Sequence, residues 1–354
     1  MKTIFAGSLH PLGIHRVLEP IGAMPQAAWK LNAEPICAEN EILCDVEVLN
    51  IDSASFTQMR DVCENDPARI GEHIAATVRQ RGKQHNAVTG SGGMFIGRVA
   101  EVGSRLRDRL ALQVGDRIAS LVSLTLTPLR IDAVERVDVA TGRVWIRGQA
   151  VLFETGLWAQ LPADIDENVA LAVLDVAGAP AQTQRLCKPG QTVVVIGAAG
   201  KSGLLTCAHA KARVGAAGRV IGIAHDASTS GAQLLRDAQL VDALVSADAR
   251  DALAVAQAVE TLAPQLADVT INCVNVPGTE LSSILCTKDE GIVYFFSMAT
   301  SFTAAALGAE GVGRDVTMIV GNGYCKNHAQ IALQTLRDHP QLRAYFESKY
   351  ATPV

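Results

Sequence analysis

Residues 192–210, TVVVIGAAGKSGLLTCAHA, pass from an unbroken apolar run into a helix-forming one through three glycines. A run apolar on both faces, Val193 to Ile196, belongs at the centre of a parallel sheet covered by helices on each side. Glycines let the backbone turn sharply at its end, approach a pyrophosphate closely and bring the next helix down on the strand, with its N-terminal amides toward the phosphates. Gly200-Lys201-Ser202 also resembles the end of a nucleoside-triphosphate loop, but that loop needs a glycine five residues earlier, where Val195 stands. The run therefore predicts a dinucleotide turn made by Gly197, Ala198, Ala199, Gly200, Lys201, Ser202 and Gly203, with Lys201 beside the pyrophosphate.

The next strand, RVIGIAHD at 219–226, should end in the carboxylate that reads the adenosine ribose. Here that position holds Ala224, followed by His225 and Asp226. Asp226 is within reach of the ribose and no arginine stands at the strand end for a 2′-phosphate. NAD is thus favoured, with NADP left open. His225 reads either as part of this site or as a solvated turn residue.

A chain of 354 residues, 49% hydrophobic and 19% charged, has room for two domains with their own cores. A net charge of −5 without a basic cluster argues against binding to nucleic acid or a membrane surface and for a small-molecule substrate. No segment reaches the ~18 uninterrupted apolar residues of a membrane span. The eight cysteines are scattered, without the spacing of a zinc knuckle, so reduced thiols, no metal and a cytoplasmic location are expected.

Before the glycine turn the chain reads as all-β, with a hairpin at RVDVATGRVWIRG turning at Thr141-Gly142. A polar segment at 69–93, weakly helical and then glycine-rich, reads as a flap. From about residue 166 strands and helices alternate, which predicts a doubly wound parallel sheet and an α/β fold. The expected division is a catalytic domain at 1–165, to which 325–354 returns, and a dinucleotide-binding domain at 166–324.

GRVAEVG at 97–103, LQVGDRI at 112–118, LPADIDENVAL at 161–171, KPGQTVVVIGAAGKSG at 188–203 and DVTMIVGNG at 315–323 together resemble the medium-chain dehydrogenase/reductase superfamily. The resemblance implies a partly open, GroES-like β-barrel domain followed by a Rossmann domain. It also implies a homodimer formed by pairing of edge strands, for which DEGIVYFFSMA at 289–299 is the candidate. Zinc-binding members carry a cysteine at the end of the strand that here reads VLNIDSASF, and Gly-His-Glu where this chain has Gly92-Gly93-Met94. Residues 11–32 and 40–59 resemble more narrowly the 3,5-diaminohexanoate dehydrogenase family. That resemblance implies NAD-dependent oxidative deamination of L-erythro-3,5-diaminohexanoate to 5-amino-3-oxohexanoate and ammonium in lysine fermentation.

Such a reaction needs a base, because the substrate nitrogen must lose a proton before the neighbouring carbon can lose hydride. Asp52 stands where the zinc ligand of the superfamily would be and is the first candidate, with Ser53 and Ser55 placed to orient substrate or water. The alternative is that these residues cap the helix ASFTQMRDV. Glu154 is the second candidate acid, or else a solvated strand-end residue. His15 and Arg16 are candidates to bind the substrate, Arg16 through its carboxylate, and Glu19 through the distal ammonium; ordinary salt bridges are the alternative. Cys273, Asn275, Ser297, Gly321 and Asn322 end strand-like runs and are expected at the cofactor, on the carboxyl edge of the sheet. Two other functions fit the same pattern: a zinc-independent quinone or enone reductase, and a non-catalytic dinucleotide-binding protein.

Overall fold

The computed structural model describes residues 8–86, 90, 92–297, 299–321 and 323–351, in two compact units that divide between Leu161 and Pro162.

In the first unit β1 (Val17–Glu19) pairs with β2 (Lys30–Leu31). Then come β3 (Glu41–Asn50), α1 (Ser53–Val62), α2 (Pro67–Arg81), β4 (Met94–Val102), β5 (Arg117–Ser120), β6 (Leu129–Asp138), β7 (Arg143–Phe153) and β8 (Trp158–Gln160). The last six strands form one antiparallel sheet in the order β6-β7-β3-β4-β5-β8. The region is therefore not all-β. Ile70, Ile74 and Val78 recur every four residues along one face of α2 and are buried in the same core as Leu49, Phe95 and Ile146. Asp66 caps this helix at its start and Gly82 ends it at φ 64°. The predicted hairpin is β6-β7, and its turn begins at Asp138, whose Oδ1 accepts the N–H groups of Ala140 and Thr141.

A buried charge network ties the N-terminal segment to β3. Arg16 is fully buried; its Nε and Nη2 donate to the two oxygens of Glu41 at 2.8 and 2.6 Å. Its remaining N–H groups go to the carbonyls of Asn32, Glu34 and Ile36. His15 accepts the His10 N–H at Nδ1, which leaves the proton on Nε2 to donate to Glu41 Oε1 at 2.8 Å. Burial alone would raise the Glu41 carboxyl, but hydrogen bonds from Arg16 and His15 and the charge of Arg16 outweigh it and hold the group down to about 2.

The second unit contains α3 (Glu167–Leu174), α4 (Gly178–Leu186), β9 (Thr192–Ile196), α5 (Lys201–Val214), β10 (Arg219–Ala224), α6 (Ser230–Asp237), β11 (Ala243–Ser246) and α7 (Ala252–Leu262). It continues through β12 (Ala267–Asn272), α8 (Glu280–Leu285), β13 (Thr287–Phe295), α9 (Phe302–Val312), β14 (Val316–Val320), α10 (His328–Asp338) and α11 (Pro340–Tyr350). Its six strands are all parallel in the order β11-β10-β9-β12-β13-β14, the predicted doubly wound sheet. Val193 to Ile196 are completely buried at its centre. Two expectations are corrected here. Residues 325–351 do not return to the first unit: α10 packs on α3, α4 and α5, and α11 on α3 and α6. The segment expected to pair between subunits is β13, which is already hydrogen-bonded on both sides; the edge strands are β11 and β14.

Because Glu41 titrates lower folded than unfolded, its contribution to stability is complete above its ordinary value of 4.5 and is lost as pH falls toward about 2. Arg16→Met strands that carboxylate, and urea denaturation at pH 7 is expected to show a loss of about 3–5 kcal/mol. The penalty should shrink as the pH is lowered through this window; one that is unchanged at pH 3 contradicts the assignment.

Candidate active site

A groove of about 970 Å3 opens at the carboxyl edge of the parallel sheet, beside β9, where the strand order reverses between β10 and β12. The glycine turn is its floor. Gly197 has φ 82°, and a side chain there would press on Val274 at 2.9 Å. A Cβ on Gly203 would lie 2.1 Å from the Gly197 carbonyl oxygen, so α5 sits directly on the turn. Gly200 differs, since a Cβ there would meet only that same oxygen, at 3.4 Å, and otherwise open space. No side chain caps α5 at Gly200. The first amides of the helix thus face the groove unopposed by the chain, the arrangement that binds a pyrophosphate. These residues fit a dinucleotide: glycine where backbone must approach backbone, and space where a phosphate would lie.

Of the predicted cofactor residues, Gly197, Ala199, Gly200, Lys201, Ser202, His225, Asp226, Cys273 and Asn275 line this groove. Ala198 is buried behind the turn, its N–H donating to the Ile223 carbonyl. Lys201 pairs with Asp175 at 2.5 Å. Asp226 is exposed, and its Oδ1 accepts both the N–H and the hydroxyl of Ser228, which lower its pKa. Cys273 lies 3.8 Å from the Thr206 hydroxyl, and burial pushes its thiol up to about 11, which makes it an inert lining group. Ser297 and Gly321 follow β13 and β14, outside the groove lining, and Asn322 lies outside the described residues. Sequence reasoning missed Asp248 and Arg250, which follow β11, and Tyr345 and Lys349, which α11 brings from the far end of the chain. An acid in the turn after the third strand was a usable signal for Asp248; nothing local marks the α11 pair.

In the first unit Asp52 caps α1: its Oδ1 accepts the Ser55 N–H at 2.9 Å. The capping alternative is correct, but it uses one oxygen only. Oδ2 is shielded from solvent and has no hydrogen-bond partner among the described residues. Ser55 is fully buried, and Ser53 opens the helix, with its side chain outside what the structure describes. Glu154 pairs with Arg109 at 2.6 Å. Arg16 is corrected outright, because all five of its donors are spent on Glu41 and on backbone carbonyls and none is left for a substrate carboxylate. His15 belongs to the same buried network, and Glu19 is exposed at the end of β1.

Of the polar segment expected to form a flap, the first part is α2 and residues 87–89 and 91 lie outside the described residues. After the helix, buried Lys83 donates to the carbonyls of Pro25 and Gln26, and burial, with Arg81 nearby, brings it down to about 8. His85 Nδ1 contacts the Thr125 hydroxyl. A Cβ on Gly93 would fall 2.2 Å from the Asn50 oxygen, so the histidine of zinc-binding relatives has no room on this backbone. Among the described residues no three His, Cys, Asp or Glu side chains are grouped to hold a metal.

Fold and groove together define the class, an antiparallel β unit followed by a Rossmann-type unit with a dinucleotide groove. A mycobacterial quinone oxidoreductase superposes with a TM-score of 0.53 at 17% identity, over 90% of this chain and 91% of that one. The quinone oxidoreductase from Coxiella burnetii gives 0.52 at 17%, over 86% and 81%. At this identity the likeness is one of fold.

Sequence similarity is narrower. Residues 15–162 match the family described as the L-erythro-3,5-diaminohexanoate dehydrogenase N-terminal domain. A protein of Acetoanaerobium sticklandii named L-erythro-3,5-diaminohexanoate dehydrogenase is 51% identical over 345 residues, 96% of this chain and 98% of its own. One of the same name from Fusobacterium nucleatum subsp. nucleatum is 52% identical over 339 residues, again 96% and 98%. The chain belongs to the L-erythro-3,5-diaminohexanoate dehydrogenase family.

The glycines of the turn should separate packing from binding. Gly203→Ala is expected to lower the melting temperature, because its methyl overlaps backbone. Gly200→Val should keep the fold but weaken dinucleotide binding by about tenfold or more in calorimetric titration. Equal effects of both variants on stability would contradict this division.

Proposed function

We propose that this chain oxidises L-erythro-3,5-diaminohexanoate with NAD and water to 5-amino-3-oxohexanoate, ammonium, NADH and a proton. The observation that carries the reading is the identity of about half the residues along nearly the whole length of relatives bearing that name. The glycine turn with its open face at Gly200 supports a nicotinamide cofactor.

When bound, the nicotinamide supplies the hydride acceptor. The chain's own residues must handle the protons. The 3-ammonium group loses a proton to a base, the carbon gives up hydride as the nitrogen lone pair forms the C=N bond, and water then adds to that carbon. Loss of the water proton and departure of the nitrogen as ammonia leave the ketone. Asp52 is our base: Oδ1 is held by the Ser55 N–H, which fixes the carboxylate, and Oδ2 remains as an unfilled acceptor. Ser53 adjoins it and is proposed to orient substrate or water. For Glu154, the partnership with Arg109 favours a structural role.

We further propose a cytoplasmic homodimer paired through β14, whose Val320 is 64% exposed at the sheet edge. All eight cysteines are free, and no described helix is long and apolar enough to cross a membrane. Sedimentation should give twice the chain mass of 37.3 kDa, falling to one chain in Val320→Lys; a monomeric wild type excludes the dimer.

Asparagine caps a helix as well as aspartate does but cannot take up a proton. Asp52→Asn should therefore retain the fold and NAD affinity and lose about 10²–10⁴-fold in kcat for NADH formation from 3,5-diaminohexanoate. Wild-type turnover in this variant removes Asp52 as base. Faster turnover of simple alcohols or quinones than of the diamino acid overturns the substrate assignment.

A further inference from the structure

We propose that Asp248, held in place by Arg250, is the residue that selects NAD over NADP. The assignment rests on the dinucleotide reading of the groove and deepens it. In a fold of this kind an acid at the end of the second strand accepts the ribose 2′-hydroxyl and repels a 2′-phosphate. Here β10 ends in the buried methyl of Ala224. Asp226, two residues on, is exposed and its carboxylate is bonded only to Ser228 of its own turn, whereas Asp248 is fixed at both oxygens by a guanidinium.

The neighbouring strand fills the vacancy in charge. β11 runs parallel to β10 with Ser246 opposite Ala224, and the Ala247 N–H donates to the Ala224 carbonyl at 2.9 Å. Asp248 is the next residue and lines the same groove, as does Arg250. Arg250 grips the carboxylate from one side, with Nε at 3.0 and 3.2 Å from its two oxygens and Nη2 at 2.7 Å; the Arg250 backbone N–H adds a bond to Oδ1 at 2.9 Å. The Asp248 side chain keeps 36% of its surface exposed, so acceptor capacity remains for a hydroxyl.

The sign of the selection follows from the pairing. Alone, Arg250 would attract a 2′-phosphate; paired, its charge is cancelled and two of its nitrogens are occupied. Asp248 thus contributes twice, by accepting from a hydroxyl and by withholding the guanidinium from a phosphate. His225, Asp226, Lys201, Tyr345 and Lys349 are further charged or titratable groups lining the groove, and among the described residues none shows a side-chain hydrogen bond to this pair.

The test uses the whole chain and calorimetric titration with NAD+ and NADP+, without the amine substrate. Wild type should bind NAD+ about tenfold or more tightly over NADP+. Asp248→Ala should keep its melting temperature and shift that ratio toward NADP+ by about tenfold or more, and Asp248→Ala/Arg250→Ala should lose the gain. A wild type that prefers NADP+, or an Asp248→Ala that weakens both nucleotides equally, overturns the proposal. A wild type that binds neither overturns the dinucleotide reading and this assignment with it, whereas inactivity toward the diamino acid with selective NAD+ binding leaves the selector in place and removes only the substrate.

Discussion

The second unit depends on one close approach, that of α5 to the turn leaving β9. Gly203 lies against the Gly197 carbonyl with no room for a side-chain carbon between them. That contact fixes where the helix begins, and hence where its unopposed amides point. It also lets α6 come close, since a Cβ on Gly231 would fall 2.3 Å from the Ala199 oxygen. The groove is what remains between these packed glycines and the ends of β10, β11 and β12. A binding surface here is the by-product of tight backbone packing, with space left only at Gly200.

The first unit has a constraint of another kind. Taking Arg16 and Glu41 out of water is unfavourable unless every donor is matched, and here the match is complete for Arg16. The network joins residues far apart in sequence and pins the segment ahead of β3. An arginine and a histidine near the N-terminus therefore look like ligands when read along the chain, and are structural when seen in three dimensions. Asp52 differs in being only half used by the fold, since capping α1 engages Oδ1 and leaves Oδ2 without a hydrogen-bond partner among the described residues.

The parallel sheet was legible because its evidence is local: a doubly buried strand needs an apolar run such as Val193 to Ile196, and the turn needs its glycines at fixed spacing. The six-stranded antiparallel sheet was legible in part, since alternation marks strands but leaves their order open. Helix α2 was legible only weakly, because its buried face consists of four residues, Ile70, Gly71, Ile74 and Val78, on an otherwise largely polar helix. Of the groove, the turn and the end of β10 could be found by counting residues. Tyr345 and Lys349 could not, as no short-range pattern tells which face of α11 meets the groove.

What the amino-acid order alone determined was thus the doubly wound fold, the glycine turn, and, through resemblance, the family. These follow from short-range requirements of backbone and side chain. Tertiary structure decided which charges line the groove and which are scaffolding: Arg16 turned inward to Glu41, Asp248 brought level with Ala224, and 325–351 packed within the second unit. The reason is physical. The fate of a charge depends on the partner that desolvates or neutralises it, and for Arg16 and Glu41 that partner lies 25 residues away in sequence.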